Sequence, residues 1–570
     1  MGNFLQTQNS FSCGEVAPDF YATSNIRGVS KLENMDVLQS GGAQRRYGLQ
    51  KIATAPDDAI LVPFIISESE KYLLVIYQQS IDVYSNDVKI TTLVAPWDDT
   101  DLPKLQYAQR FNSLFFVHPE YCPQILVKTA SGFSISQFEF NIDAQDLVNM
   151  PFMRFDDTVG ISITLTSSDI DNNHATFTAS ADLWDSNWIG TRLLINNKQW
   201  VVESVQSARI ATVYTTGQFS LPGSPISDWW ESAFNKKRGW PISVSFHQNR
   251  LIFGGTPSAP NNIWMSKVGD YYNFDVGSGL DDDAVYVTLL SARHHQISTL
   301  VSSDTLQILT SVGEWAISSS PLTPSNVSIK QHTSVGSMIS RYLPPQTIEG
   351  STVFIAKSGQ DIRELDMDEL NQTYNATDLC LYAKHLMQNP VSIAYNSSLH
   401  RLYIVMQDGF MAVLNKYSNT DVAAWGTYTT DGTFEYVAVM DDKTYVIVKR
   451  KNVCYLEKFN KQCLNDASDY NFTYKICAMP MIVNSHNPRK IRARKISLRL
   501  RDTKTVFVNG TRMVIPNEAY SLNSNGYNGD LSMNLLGNEL DTMRPIWSIS
   551  SNEQLPATIL SVTTDGWYLI

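Results

Sequence analysis

The feature that most constrains the fold of this chain is a repeated pair of short strands. Each repeat has an apolar strand, a polar turn and a second strand that ends in a hydrophobic residue. Seven repeats occur, at residues 72–84, 113–127, 250–265, 305–317, 352–365, 401–413 and 444–456. Most neighbouring repeats are separated by about 40 to 55 residues, which is near the period of propeller blades. The pattern predicts a β-propeller of about six to eight blades, with unrelated hairpins in β-sandwiches as the alternative.

Helical periodicity is scarce in the sequence. Two short segments, residues 379–387 and 229–237, are the best candidates for helices. Elsewhere, short apolar runs are separated by Gly, Asn, Asp and Ser, which is typical of a mainly β protein. The predicted fold class is therefore mainly β.

The length of 570 residues is too great for one ordinary domain. Between the second and third repeats, segments such as 175–179 and 200–205 alternate as strands of their own, which predicts a small β domain inserted into the propeller. After Phe459 the repeat stops, and the strands that follow predict a C-terminal β-sandwich-like region. The predicted domains are an N-terminal β or platform segment at 1–55, the first part of the propeller at 56–154, the inserted domain at 155–235, the rest of the propeller at 236–460 and the C-terminal β domain at 461–570.

The charge balance disfavours a free nucleic-acid-binding protein. The formal net charge is -12 and the pI is near 5.3, whereas binders of DNA usually carry an excess of basic residues. Such a surface repels DNA phosphates, which is compatible with DNA as cargo that passes without sticking. The six cysteines are scattered without a Cys-x-x-Cys pair, so we expect reduced and mostly buried thiols.

The sequence carries no pattern that predicts a secretory or membrane segment. The first residues, Met1-Gly-Asn-Phe-Leu-Gln, lack the basic and apolar regions of a signal peptide. No stretch approaches the roughly 18 apolar residues that span a bilayer. We therefore expect no stable membrane insertion. The unpaired cysteines fit synthesis in the cytoplasm.

The sequence offers few candidates for catalysis or for cofactor binding. Asp281, Asp282 and Asp283, with Asp275 nearby, suggest a hard-cation site, but the EF-hand spacing is missing and a solvated turn is the simpler interpretation. His294-His295 has no accompanying metal-binding motif, and adjacent residues of a strand point to opposite faces. Nucleophile-elbow and phosphate-loop motifs are also missing. We predict no catalytic residue, no cofactor and no metal.

The densest positive run lies near the C-terminus, at Arg489, Lys490, Arg492, Arg494, Lys495, Arg499 and Arg501. In strand geometry, Lys490, Arg492 and Arg494 share one face. They are candidates for contact with acidic patches of a neighbouring subunit or with DNA phosphates. A solvated edge that resists aggregation is the alternative.

Several separated motifs resemble one family. They are Phe11-Ser-Cys-Gly-Glu-Val-Ala-Pro-Asp-Phe-Tyr21, Gly41-Gly-Ala-Gln-Arg-Arg-Tyr-Gly48, the block at 105–126 and, most clearly, residues 239–283. In order and identity they resemble the tail tubular protein B, or nozzle, family of short-tailed bacteriophages and related prophage or gene-transfer particles. Tyr47 stands where a proline is usual in that family. Residues 155–235 and 502–545 carry little of the resemblance.

The resemblance implies a structural protein of the virion tail rather than an enzyme. It implies a β-propeller with added β domains, assembled as a homohexameric ring below a tail adaptor protein. Double-stranded DNA would be retained and conducted through the ring during ejection, and fibres or spikes would dock outside. Head-to-tail contacts between identical subunits close into such a ring when the rotation permits.

Two other classes of function stay open at the level of sequence. One is a propeller glycoside hydrolase that acts on cell-surface glycans, with Trp229-Trp230, Trp240 and Trp264 as sugar platforms. The other is a glycan-binding receptor or fibre-docking module without a channel. The enzyme hypothesis predicts a monomer with turnover, and the structural hypothesis predicts a ring without turnover.

Overall fold

The computed structural model describes residues 2–21, 26–169, 173–216, 224–368, 370, 373–420, 422–467, 469–480, 490–516, 526–535 and 544–569. Within these ranges the chain forms β-strands and single-turn 3-10 helices but no α-helix. The 3-10 helices are Pro18–Phe20, Leu102–Lys104, Asp156–Thr158, Ser186–Trp188 and Lys384–Leu386. The described part of the chain also contains no helix of the length and apolar character needed to cross a membrane.

The first eleven strands lie between residues 2 and 94. They are β1 (Gly2–Gln8), β2 (Gly14–Glu15), β3 (Gly28–Val29), β4 (Lys31–Glu33), β5 (Met35–Val37), β6 (Ala43–Arg45), β7 (Gly48–Ala55), β8 (Ile60–Ile65), β9 (Lys71–Tyr77), β10 (Ser80–Ser85) and β11 (Val88–Val94).

The middle of the chain supplies nineteen more strands within the described ranges. They are β12 (Gln106–Arg110), β13 (Ser113–His118), β14 (Tyr121–Thr129), β15 (Gly132–Gln137), β16 (Phe152–Met153), β17 (Ile163–Asp169), β18 (His174–Ala179), β19 (Arg192–Ile195), β20 (Lys198–Ser207), β21 (Ile210–Thr215), β22 (Trp229–Ser232), β23 (Ser243–His247), β24 (Arg250–Gly254), β25 (Asn262–Met265), β26 (Val285–Thr288), β27 (Ile297–Ser302), β28 (Leu306–Thr310), β29 (Glu314–Ile317) and β30 (Ile329–Gln331).

The remaining strands complete the propeller sheets and the C-terminal region. They are β31 (Gln346–Ile348), β32 (Ser351–Ile355), β33 (Ile362–Asp368), β34 (Thr373–Asp378), β35 (Pro390–Asn396), β36 (Arg401–Met406), β37 (Met411–Tyr417), β38 (Val422–Tyr428), β39 (Thr433–Met440), β40 (Lys443–Arg450), β41 (Val453–Asn460), β42 (Tyr474–Cys477), β43 (Lys490–Thr503), β44 (Phe507–Val508), β45 (Thr511–Arg512), β46 (Tyr527–Asn534), β47 (Ser548–Ser551) and β48 (Thr558–Leu569).

The predicted mainly β, propeller-containing fold is confirmed. Each of the seven sequence repeats is the central strand pair of a four-stranded antiparallel arrangement, for example β9 and β10 between β8 and β11. The arrangement latest in the chain, β39 to β41, takes its fourth strand from β7 near the N-terminus. The hairpins could be predicted from the sequence because each has two buried apolar strands joined by a polar turn.

The chain divides into two compact units, Met1–Thr92 with Leu343–Ile570 and Leu93–Tyr342. In the first unit, the leading strands of consecutive blades pack side by side: β31 on β35, β35 on β39 and β39 on β8. In the second unit, β12 packs on β23 and β23 on β27. The second unit also holds a seven-stranded sheet of order β16-β22-β19-β20-β21-β18-β17, which is the inserted β domain.

The C-terminal region of the first unit is a sandwich that the N-terminal strands help to build. One sheet has the order β46-β43-β48-β6-β5, with β1 paired to β48. The other continues from β38 through β4, β42, β47 and β44 to β45. Buried side chains of both sheets form one apolar core, including Leu32, Ile476, Ile496, Ile549 and Val562.

Both predicted helices are wrong. Residues 229–237 begin as strand β22, which pairs with β16 and β19. Trp229 is buried and Trp230 is exposed, so the segment follows the two-residue period of a strand. In residues 379–387 only Lys384–Leu386 is helical, as a single 3-10 turn. The tertiary pairing of β22 overrides its local helical preference, and the second segment is too short for a stable helix.

Candidate functional site

The basic run near the C-terminus lies on β43, the longest strand that the structure describes. Ile491, Ala493 and Ile496 point into the sandwich core. Lys490 precedes Ile491, and Arg492 lies between Ile491 and Ala493. Both basic side chains are exposed. The strand therefore has one apolar face and one basic face, as the period of two requires.

A β-bulge enlarges the basic face. The pairing of β43 with β48 shifts register between Ala493 and Lys495. Because one extra residue is accommodated there, Arg494 and Lys495 are both exposed. The structure thus places Lys490, Arg492 and Arg494 on the solvent side of one sheet. Their contact with a subunit or with DNA stays a prediction, and Arg489 lies outside the described residues.

Four rows of directly opposed residues cross this solvent-facing side of β1, β48, β43 and β46, which we call the basic sheet face. The rows are Asn3, Trp567 and Arg492; Leu5, Asp565, Lys495 and Asn534; Thr7, Thr563, Ser497 and Ser532; and Ser561, Arg499 and Asp530.

Polar contacts tie these strands together across the basic sheet face. The Thr7 and Thr563 hydroxyl oxygens are 2.9 Å apart, and those of Ser497 and Ser532 are 2.7 Å apart. Arg499 donates two hydrogen bonds to Asp530, at 2.8 and 2.9 Å. These cross-strand pairs fix the geometry of the face, as neighbouring pairs do in sheets generally.

The basic side chains of this face outnumber its acidic ones. Arg494 contacts Asp565 at 3.0 Å, with 49% and 40% of the two side chains exposed. Arg499 faces Asp530, and its hydrogen bond to that carboxylate holds the pKa of Asp530 below its ordinary value. With Asp502, which lies 4.0 Å from Arg501, three acids contact the six Lys and Arg residues of β43 from Lys490 to Arg501. The result is a positive surface on a chain whose formal net charge is -12.

The segment at 239–283, which carries the clearest resemblance, is organised around a buried arginine. Arg250 begins β24, and its guanidinium donates to the carbonyl oxygens of Ser266 at 2.7 Å and of Asp283 at 2.6 Å. It also donates to the carbonyls of Asp281 at 2.9 Å and of Leu322 at 3.3 Å. Arg250 therefore anchors the aspartate-rich loop to the blade.

The aspartate cluster does not converge on a cation position. The Asp283 carboxylate accepts backbone N–H groups of Ser278, Gly279 and Leu280 at 3.1, 3.0 and 2.9 Å. It also contacts Lys267 at 2.8 Å, and the hydrogen bond from Lys267 is the main reason that the pKa of Asp283 lies below its ordinary value. Asp281 and Asp282 are exposed. Asp283 thus orders its own loop.

The two adjacent histidines have separate surroundings. His294 is exposed, whereas His295 is buried and stacks on Trp315 with ring centroids 5.9 Å apart. They precede β27 and so do not lie in a strand, contrary to the geometry assumed from sequence. The two rings therefore differ in burial, one exposed and one buried.

One other group, Asp361, Asp378 and Cys380, brings potential metal ligands together within the described ranges. Lys384 already contacts the two carboxylates at 2.9 and 3.3 Å. Burial raises the pKa of the Cys380 thiol to about 12, which keeps it protonated near neutral pH. A lysine and a protonated thiol make this a poor site for a cation.

The four candidate sugar-platform tryptophans do not form one exposed surface. Trp229 is buried, and its indole N–H donates to the Ile161 carbonyl at 2.8 Å. Trp264 is also buried, and Trp240 packs against the same core. Trp230 is 43% exposed. The sequence missed Tyr286, which is 43% exposed and lies opposite Trp264 on the next strand.

The fold defines a mainly β, propeller-containing protein. Residues 242–538 match the family model described as bacteriophage nozzle protein, which is more than half of the chain. The chain belongs to the bacteriophage nozzle protein family, as its motifs indicated, and it is a structural component of a phage tail. A comparison with curated proteins finds no match.

Several solved propellers share part of the fold. BamB from Moraxella catarrhalis is 9% identical, covers 72% of this chain and 100% of its own, and has a TM-score of 0.33. The Pan2 WD40 domain from Neurospora crassa is 10% identical, with coverages of 73% and 96% and a TM-score of 0.28. The Cps50 (Swd1) β-propeller domain from Myceliophteria thermophila is 7% identical, with coverages of 73% and 97% and a TM-score of 0.34. Similarity at this level carries no inference about function.

Proposed function

We propose that this chain is the subunit of a ring-shaped tail nozzle that retains double-stranded DNA and conducts it during ejection. The match of residues 242–538 to the nozzle family is the observation that carries the proposal. The assembly is a homohexamer that docks on a tail adaptor protein and carries fibres or spikes outside. The chain acts in the virion tail after synthesis in the bacterial cytoplasm.

The charge of the chain suits a conduit. Double-stranded DNA carries one negative charge about every 1.7 Å of its axis. A chain with a formal net charge of -12 repels such a polymer on average, so the genome slides past without being held. A strongly basic channel would instead retain DNA through release of counterions.

The basic sheet face is the surface that we assign to a neighbouring subunit. It is rigid, because cross-strand pairs such as Ser497 with Ser532 and Arg499 with Asp530 connect its strands. Lys490, Arg492 and Arg494 lie at one end of it and are exposed. On an acidic chain, the most abundant opposite charge is offered by another copy. Complementary patches of this kind guide association and fix its register.

Two of the four candidate tryptophans, Trp229 and Trp264, do not support the propeller hydrolase hypothesis. A sugar platform needs an open ring face, but Trp229 and Trp264 are 1% and 2% exposed. They serve as core residues of the inserted sheet and of a propeller blade, respectively. We therefore keep the structural function as the conclusion.

The test is negative-stain imaging and light scattering of the purified chain, alone and with its adaptor protein. We expect six-fold rings that stack on the adaptor. A variant with Lys490→Glu, Arg492→Glu and Arg494→Glu should keep its fold by circular dichroism but lose the rings. The control is Arg209→Glu, which alters an arginine in the turn between β20 and β21, with 58% of its side chain exposed. Monomers of the unaltered chain under both conditions would contradict the proposal.

A further inference from the structure

A cavity of the second unit lies where the leading strands of three propeller blades begin. Its volume is about 600 Å³, which is within the range of roughly 300–1,000 Å³ that is usual for ligand sites. The strands β12, β23 and β27 pack side by side. Residues around the start of each strand line the cavity: Lys104 and Gln106 at β12, Ile242 at β23, and Gln296 and Ser298 at β27. The cavity therefore has walls from three blades.

A further wall is the segment after β30, which hydrogen bonds hold at both ends. At one end, the Ser298 hydroxyl donates to the Met338 carbonyl at 2.6 Å. At the other end, the Tyr342 amide donates to the Pro103 carbonyl at 2.7 Å. Arg341 lies between these two anchors and lines the cavity. Its backbone is therefore held in place by contacts within the unit.

The same contacts bring two cations to one cavity. Lys104 directly follows Pro103 and Arg341 directly precedes Tyr342, so the two basic residues flank the hydrogen bond between those neighbours. The Lys104 ammonium is exposed and has no acid within ion-pair distance in the part of the chain that the structure describes. Two cations at one cavity repel each other, and an anion between them replaces that repulsion by attraction. The pair thus favours an anionic ligand.

The other lining groups favour a ligand that carries hydroxyl groups and a ring beside its anion. His294 is exposed and offers an imidazole N–H. Glu120 is also exposed, and its carboxylate accepts hydrogen bonds. Apolar surface comes from Pro119, Pro257 and Pro260. The cavity thus combines cations for an anionic group, an acceptor for hydroxyl groups and an apolar wall for a ring.

We propose that this cavity binds a phosphate monoester of a sugar, as in a nucleotide or a sugar phosphate. The phosphate accepts charge-assisted hydrogen bonds from Lys104 and Arg341, and the planar guanidinium matches two phosphate oxygens at once. A hydroxyl group of the sugar donates to the Glu120 carboxylate, and the sugar ring packs against the prolines. The lining residues belong to one unit of one subunit, so the site does not depend on the proposed ring or channel.

The charges of the cavity favour this occupant over two other anions. A carboxylate of a partner protein carries one negative charge, whereas a phosphate monoester carries about 1.5 to 2 near neutral pH and is attracted more strongly by both cations. Duplex DNA presents diesters with one charge each. Its sugars have no free hydroxyl group within the strand, so Glu120 would repel the backbone without gaining a hydrogen bond. A phosphorylated sugar satisfies the cations and the acid together.

The test is isothermal titration calorimetry of the full-length chain with adenosine 5′-monophosphate and glucose 6-phosphate. Adenosine and glucose are the matched probes without a phosphate. We expect at least one phosphorylated probe to bind about tenfold more tightly than its matched probe, and added salt to weaken that binding. The proposal is overturned if neither phosphorylated probe binds. It is also overturned if N-acetylglutamate or a short DNA duplex binds more tightly than both.

Matched charge variants decide whether this cavity is the site. Lys104→Ala and Arg341→Ala should each weaken binding about tenfold or more, because each removes a charge-assisted hydrogen bond. Arg341→Lys should recover part of the loss, which separates the lost charge from any loss of folding. Lys330→Ala, which removes an exposed cation of β30 outside the cavity, should leave binding unchanged. Unaltered affinity in both alanine variants of the cavity overturns the proposal.

Glu120→Ala tests the sugar part of the ligand. The unaltered chain should bind glucose 6-phosphate more tightly than inorganic phosphate, because the sugar adds a hydrogen bond to Glu120 and contact with the prolines. The variant should bind inorganic phosphate at least as tightly as the unaltered chain, since a repelling charge is removed. Its preference for glucose 6-phosphate should shrink. An unaltered chain that prefers inorganic phosphate would contradict the assignment to a phosphorylated sugar.

Discussion

The arginines of β43 and the arginine at position 46 show two ways in which this chain uses the same side chain. On the basic sheet face, Arg494 meets Asp565 with about half of each side chain exposed. Arg46, only 1% exposed, instead forms two hydrogen bonds with Asp466, at 2.9 and 2.7 Å. Water screens the first pair but not the second. Burial decides whether an arginine holds the fold or remains available to a partner.

The buried site around Arg46 satisfies all five donors of the guanidinium, one of them through the Tyr47 carbonyl at 2.9 Å. Besides Asp466, the group donates to the Asn34 side-chain oxygen at 2.7 Å and to the Thr429 carbonyl at 2.9 Å. The guanidinium also lies over the Phe472 ring, 3.6 Å from its centroid. A planar cation with five donors suits such a site, whereas the exposed arginines of β43 use only part of this capacity. The difference predicts large effects of mutation inside and small ones on the sheet face.

The largest effect is expected when Asp466 is removed. Asp466→Ala leaves the Arg46 charge buried without its carboxylate, which should reduce the free energy of unfolding by about 3–5 kcal/mol. The measurement is urea unfolding followed by tryptophan fluorescence. The matched control is Asp565→Ala, which removes the exposed partner of Arg494. Similar losses in the two variants would refute the distinction between buried and exposed pairs.

A second buried arginine pair makes stability depend on pH. Glu457 is fully buried and contacts Arg450, yet burial raises its pKa from 4.5 to about 7 because desolvation outweighs the attraction of Arg450. The folded chain therefore binds a proton that the unfolded chain releases between these values. The contribution of Glu457 is fully present below pH 4.5 and is lost as the pH rises through about 7.

We expect this loss to be on the order of 3 kcal/mol across that window. Glu457→Gln should remove it, so the difference in unfolding free energy between the unaltered chain and the variant should change with pH between 4.5 and 7. Urea unfolding at several pH values measures that difference. An identical pH dependence in the two proteins would show that Glu457 does not titrate there.

Replacing Arg250 should have an intermediate effect on the free energy of unfolding, because its side chain is buried but donates only to carbonyl oxygens. Arg250→Met should leave the carbonyls of Ser266 and Asp283 without this donor and cost about 1–3 kcal/mol. Hydrogen exchange of the Ser278, Gly279 and Leu280 amides should accelerate, since the loop loses its anchor. Unchanged exchange at these amides would argue that the Asp283 carboxylate alone holds the loop.

The sequence predicted what depends on local periodicity. The seven strand pairs were visible because turns and alternation lie within a dozen or so residues of each other. The shared face of Lys490 and Arg492 followed from the same period of two. The bulge that exposes Lys495 beside Arg494 was not predictable, because it is set by pairing with β48, which lies more than sixty residues away.

The other features that the sequence did not predict depend on residues that meet only in the folded chain. Arg46 and Asp466 are 420 residues apart in sequence, and nothing local indicates that they meet. Trp230 was grouped with Trp229 as a sugar platform, but strand alternation buries one and exposes the other. Tyr286 lies beside Trp264 only because β25 pairs with β26. Sites built from several strands therefore require the fold before their residues can be selected.

The smallest effect is expected for the exposed pair itself. Arg494→Ala and Asp565→Ala should each change the free energy of unfolding by less than about 1 kcal/mol, because water screens the pair and ordering two partly exposed side chains costs entropy. A double-mutant cycle with both substitutions isolates the interaction from other effects of each change. A coupling energy near that of the buried pair would mean that the sheet face is shielded from water, as it would be in an assembled ring. Repeating the cycle on chains kept monomeric and on chains in rings separates the two cases: we expect weak coupling in the monomer and stronger coupling where a neighbouring subunit covers the face.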